Sequence, residues 1–182
     1  MENIKVSKLT GARRQLSTAI QLWFTDGDPL SIQTLAGASH QILADLIRHK
    51  GGKDPVLESP RIREESRRIW VNAIKNAGNF LKHADNDPEG ELTFNPESNG
   101  FRLLANILAL GELGEPVNAM ENAFNIRFML ENPKLLLDPG LSAYMSPEGQ
   151  RVMRAVPRRE FLRAVLAESA IKPPATAGAS AD

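Results

Sequence analysis

The chain has 182 residues, 42% hydrophobic and 24% charged, with 22 Lys and Arg against 22 Asp and Glu and no cysteine. That length suits one domain burying roughly 70% of its unfolded surface without cross-links, and the lack of cysteine excludes disulfide scaffolds, thiol nucleophiles, zinc ribbons and iron–sulfur centres. No apolar run approaches the ~20 residues that cross a bilayer, and Met1 to Val6 lacks the apolar core of a signal peptide, so a cytoplasmic protein without membrane contact is expected.

The pattern predicts helices nearly throughout. Leu9, Ala12, Leu16, Ala19, Ile20, Trp23 and Phe24 recur at steps of three and four, one stripe of an amphipathic helix. Asp28-Pro29 is a start signal for a second helix. Its expected stripe is Ile32, Leu35, Ser39, Ile42 and Leu46, widened by Ala36, Leu43 and Ile47. Ala36-Gly37-Ala38-Ser39 leaves room for close approach of a helix or ligand, and Gly51-Gly52 ends the helix. Ser59-Pro60 opens a third helix to His83, buried through Ile62, Ile69, Trp70, Ala73, Ala77, Phe80 and Leu81. Residues 85–95 are a polar connection with room for an extended piece at Leu92-Thr93-Phe94. A fourth helix, Phe101 to about Leu110, is apolar on nearly every side and belongs at the centre of a bundle. Pro116 opens a fifth, which Asn132-Pro133 stops. Residues 133–145 read as irregular, with Leu135, Leu136, Leu137 and Tyr144 packing. Short helices follow at 147–155 and 158–170. The expected fold is an all-α single-domain bundle of six to eight helices over 1–171, with a disordered tail at 172–182.

Zero net charge hides a segregation. Residues 1–86 carry 13 basic and 9 acidic groups, residues 87–150 carry 3 and 10, and residues 151–182 carry 6 and 3. Such blocks suit contact between complementary faces within one chain or across a homodimer. The third helix aligns Asn72, Asn76, Asn79 and His83, with Lys75 and Lys82 beside them. Asn costs roughly 0.6 kcal/mol relative to Ala in a helix interior, so three in eight positions suggest a contact that uses both donor and acceptor. With His40, they make the expected binding set His40, Asn72, Lys75, Asn76, Asn79, Lys82, His83 and Asp85. The faces of helices two and three would line a polar groove. A histidine beside carboxylates can also be a general base, here His83 with Asp85 or Asp87. The bland alternative caps the helix end with His83 and Lys82. No phosphate-binding glycine loop and no nucleophile elbow is present. The arginines Arg151, Arg154, Arg158, Arg159 and Arg163 could touch phosphates or dock on the acidic block. No metal and no cofactor is expected.

Three stretches carry a resemblance: Lys8 to Ile20, Thr34 to Leu46, and Asn79-Phe-Leu-Lys-His-Ala-Asp-Asn-Asp-Pro88. They resemble a family of small helical bacterial proteins with an NF(L/F)KHADxDP motif, and the resemblance implies a helical fold with no activity attached. The outline around His83 is also similar to the HEPN helical bundles of bacterial toxin–antitoxin and defence systems, whose ribonucleases carry Arg, then four to six intervening residues, then His. Gly78 stands where that Arg would be, which implies binding of nucleotide or RNA without the ribonuclease activity. The leading expectation is a non-catalytic interaction or regulatory protein, a component of a bacterial defence or stress system, with a homodimer or another protein as partner. HEPN-like nucleotide or RNA binding is the first alternative, and an enzyme using His83 the second.

Overall fold

The structure is a computed structural model that describes residues 3–55, 77–83, 85, 87–133 and 144–171. Its helices are α1 (Lys8–Phe24), α2 (Pro29–His49), α3 (Ser98–Glu112), α4 (Ala119–Glu131), α5 (Pro147–Ala155) and α6 (Arg158–Ile171). Residues 77–80 are also helical, and no strand occurs among the described residues, Leu92 to Phe94 included. The expected all-α fold is what the chain adopts. Its contacts group into two compact units, residues 1–121 and 122–182.

In the first unit α1 packs on α2 and α2 on α3, with a smaller contact between α1 and α3. The Ser7 hydroxyl caps α1 by accepting from the Thr10 N–H at 3.1 Å. The helix buries Ala12, Leu16, Ala19, Ile20, Trp23 and Phe24, the stripe expected. Asp28 caps α2, accepting from the Ser31 N–H at 2.7 Å with Pro29 in the first turn. The buried stripe of α2 is rotated from the expected one. Leu35, Ile42 and Leu46 are only half-buried, whereas Ala36, Ser39, His40, Leu43 and Ile47 face inward. The small residues therefore lie at the centre of the interface, because α2 packs closely there. Gly51 ends the helix at φ 76°, a left-handed conformation that glycine adopts without strain.

The third expected helix is described only at its end. Residues 56–76, with Ile62, Ile69, Trp70 and Ala73, lie outside the described residues. Lys82 and His83 both donate to the Asn79 carbonyl, and the helix stops at residue 80, short of the expected His83. Helix α3 is longer than expected by about a turn and buries Leu103, Ala105, Ile107, Ala109 and Leu110. It is not apolar all round. Asn99, Arg102 and Asn106 are buried too, while Leu108 is exposed.

Helix α4 starts at Ala119, three residues beyond Pro116. Asn118 accepts from the Glu121 N–H and Glu121 accepts from the Asn118 N–H, each at 2.9 Å, a reciprocal capping box that places the N-cap at Asn118. Arg13 of α1 reinforces it. Its guanidinium donates to Glu121 at 3.1 and 3.2 Å, to Glu115 at 3.1 Å and to the Pro116 carbonyl. The Glu121 side chain is fully buried, and these bonds give both of its carboxylate oxygens a partner.

The second unit is built around α4, where Phe124 and Phe128 stack at 5.6 Å. Arg127 donates to the Met153 and Val156 carbonyls at the end of α5, to Glu131 at 2.7 Å, and lies 5.7 Å from the centre of the Phe161 ring. Glu131 also accepts a two-pronged bond from Arg158 of α6 at 2.9 and 2.6 Å. Tyr144, expected to pack, is 90% exposed. Its neighbours Leu135, Leu136 and Leu137 and the expected disordered tail lie outside the described residues.

Candidate functional site

A seam of polar side chains runs through the interface of α2 and α3. Arg102, from the buried side of α3, is 5% exposed. A Cβ added at Gly37 of α2, or at Gly78, would stand 3.7 Å from its Nη2. The small patch on α2 thus admits a guanidinium, where a helix or ligand was expected. Burial pushes Arg102 down to about 10, against the opposing field of Asp54. Asp54 reaches the seam because the chain reverses at Gly51-Gly52, and its Oδ2 lies 3.3 Å from His40 Nε2. Asn106 donates to the Ala36 and Arg102 carbonyls at 3.0 and 2.9 Å, and Asn99 to the Pro29 carbonyl at 2.9 Å. Ser39, the hydroxyl nearest in sequence to His40, donates to the Ala12 carbonyl at 2.9 Å. These groups tie helix to helix, and that serine is engaged as a donor rather than held by the histidine.

The expected binding residues divide between interior and surface. His40 is 7% exposed, whereas Asn79, Lys82, His83 and Asp85 are all exposed. Asn72, Lys75 and Asn76 lie outside the described residues. The structure therefore does not place His40 with Asn79 and His83 on one accessible wall. Neither His83 nor Asp85 takes part in an ion pair among the described residues, and no group of three or more metal-binding side chains occurs among them. What does continue from His83 is acidic surface. Asp85, Asp87, Glu89, Glu91 and Glu97 are exposed, and none is ion-paired among the described residues. The segment is turn-rich, with Gly90 N–H on the Asp87 carbonyl. Asn95 closes it by accepting from the Glu97 N–H at 3.0 Å.

The second unit exposes charges of both signs, with Glu160 and Glu168 exposed on α6 and not ion-paired among the described residues. Helix α5 buries none of its residues, and Val152 is 54% exposed. Arg154, Arg159 and Arg163 are exposed and not ion-paired among the described residues, while Arg151 is bound to Glu148 and Arg158 to Glu131. The sequence reading missed Arg102, Asp54 and Asn106 as a group. A lone arginine in an otherwise apolar helix, with four small residues elsewhere to receive it, was the available signal. No family model, no curated protein and no solved structure matches the chain.

Proposed function

We propose that the chain is a non-catalytic helical interaction protein with a regulatory role, and that the segment from Lys82 to Glu97 is the surface by which it recognises another protein. The observation that carries this reading is the run of five exposed carboxylates between Asp85 and Glu97, none ion-paired among the described residues. Like charges this close repel one another, and a basic partner face relieves that repulsion and steers encounter. The same run argues against chemistry at His83, which is exposed to water and held by no carboxylate among the described residues.

The test compares two immobilised baits, the wild type and a variant carrying Asp85→Asn, Asp87→Asn, Glu89→Gln, Glu91→Gln and Glu97→Gln, after circular dichroism has shown equal helicity. Proteins captured by the wild type are expected to fall at least about tenfold on the variant, and capture at low salt to weaken at high salt. Equal capture by both baits contradicts the reading.

A further inference from the structure

We infer that a groove along the outer side of α1 binds a small phosphorylated sugar or polyol. The groove lies within the first unit and has a volume of about 590 Å³, inside the ~300–1,000 Å³ range of small-molecule sites. Successive turns of α1 line it from Thr10 through Arg14 to Thr18, and the segment before α4 adds Glu115 and Asn118. Leu9 is the one apolar residue in this lining, so a lipid chain or a flat aromatic ring would gain little by burial there.

The polar groups decide what fits. Thr18, Thr34 and Ser169 each donate to the carbonyl four residues back in their own helices. Ser17 lines the groove and is half-buried, yet its hydroxyl makes no hydrogen bond among the described residues. A helical hydroxyl that leaves its own backbone unused is free to serve a ligand. Asn118 spends its amide oxygen on the Glu121 N–H at 2.9 Å, which fixes the amide and leaves its NH2 as a donor. Arg13 is held by Glu115, Glu121 and the Pro116 carbonyl, whereas Arg14 is exposed and not ion-paired among the described residues. A guanidinium with hydroxyl and amide donors matches the several acceptor oxygens of a phosphate. Glu115 gives one carboxylate oxygen to Arg13. Its other oxygen can accept from a ligand hydroxyl, and its charge disfavours a second anionic group. One phosphate on a hydroxylated body meets all of these conditions.

Calorimetric titration of the full chain in phosphate-free buffer tests this, with glycerol 3-phosphate, ribose 5-phosphate and glucose 6-phosphate as probes. At least one probe is expected to bind with a Kd of ~1 mM or tighter, and at least about fivefold more tightly than inorganic phosphate, which lacks the hydroxylated body. Arg14→Gln is expected to weaken that probe at least about tenfold and Ser17→Ala at least about threefold, with circular dichroism unchanged in both. Arg154→Gln removes an exposed arginine outside the groove and is expected to bind as the wild type does. No probe reaching ~1 mM overturns the inference, as does inorganic phosphate binding as tightly as the best probe or an affinity that Arg14→Gln leaves unchanged. The carboxylates between Asp85 and Glu97 take no part in this titration, so its result is independent of the comparison of the two baits.

Discussion

Arg102 shows how one side chain can set the character of an interface. Its burial is unfavourable: a base whose folded pKa is pushed down to about 10, well below that of an exposed guanidinium, costs stability wherever it is charged in both states. The cost fades only as pH rises through the folded value, and it amounts to roughly 3 kcal/mol. Met at this position keeps the chain length and removes the charge. Arg102→Met is therefore expected to leave the unfolding free energy at pH 7 unchanged or to raise it by up to about 2 kcal/mol, whereas Asp54→Ala lowers it by about 2 kcal/mol, both read by urea titration. A large loss in Arg102→Met would show that the guanidinium holds the fold together. Little of this was legible in sequence. Periodicity identifies which side of a helix is apolar, and it offers no means of seeing that a cation from α3 would fill the space beside Gly37.

Among the elements, the best-read helices were those whose ends are written in local chemistry. Asp28 and Ser146, each followed by proline, accept from the N–H three residues on, and helices begin one residue after each of them; Ser7 caps α1 in the same way without having been read as a start signal. Helix α4 was misread because Pro116 resembles a first-turn proline, although Asn118 and Glu121 hold the capping spacing and were present in the sequence. Pro116 stays outside the helix, where its carbonyl accepts from Arg13. In the second unit, Glu131 couples α4 to α6. Burial raises its carboxyl pKa, but hydrogen bonds from Arg158 and Arg127 outweigh this and leave it below 4.5. Such a group gives stability that is present above the unfolded pKa and is lost as pH falls through the folded one. The melting temperature is expected to drop between about pH 5 and about pH 3, and Glu131→Gln to flatten that drop while lowering stability at pH 7. An unchanged acid profile in the variant would mean that other carboxylates control it.

At the scale of the whole molecule, the all-α class was legible because nearly every segment repeats at three and four residues. The charge blocks were legible by counting alone. What counting could not say is which charges the fold consumes. Glu121 and Glu131 are bound to Arg13, Arg127 and Arg158, and five of the carboxylates left without an ion pair among the described residues lie between Asp85 and Glu97. The expected groove of helices two and three was out of reach for a related reason, since spacing places Asn79 and His83 on one stripe without showing that they face outward while His40 faces in. Recognition through the acidic segment is tested most directly by carbodiimide labelling of carboxylates read by mass spectrometry. The protein is labelled at low salt in lysate and, separately, pure and dilute at high salt. Asp87, Glu89 and Glu91 are predicted to be labelled at least about threefold less in lysate, while exposed Glu112 is labelled equally in both; equal labelling of all four would contradict the account.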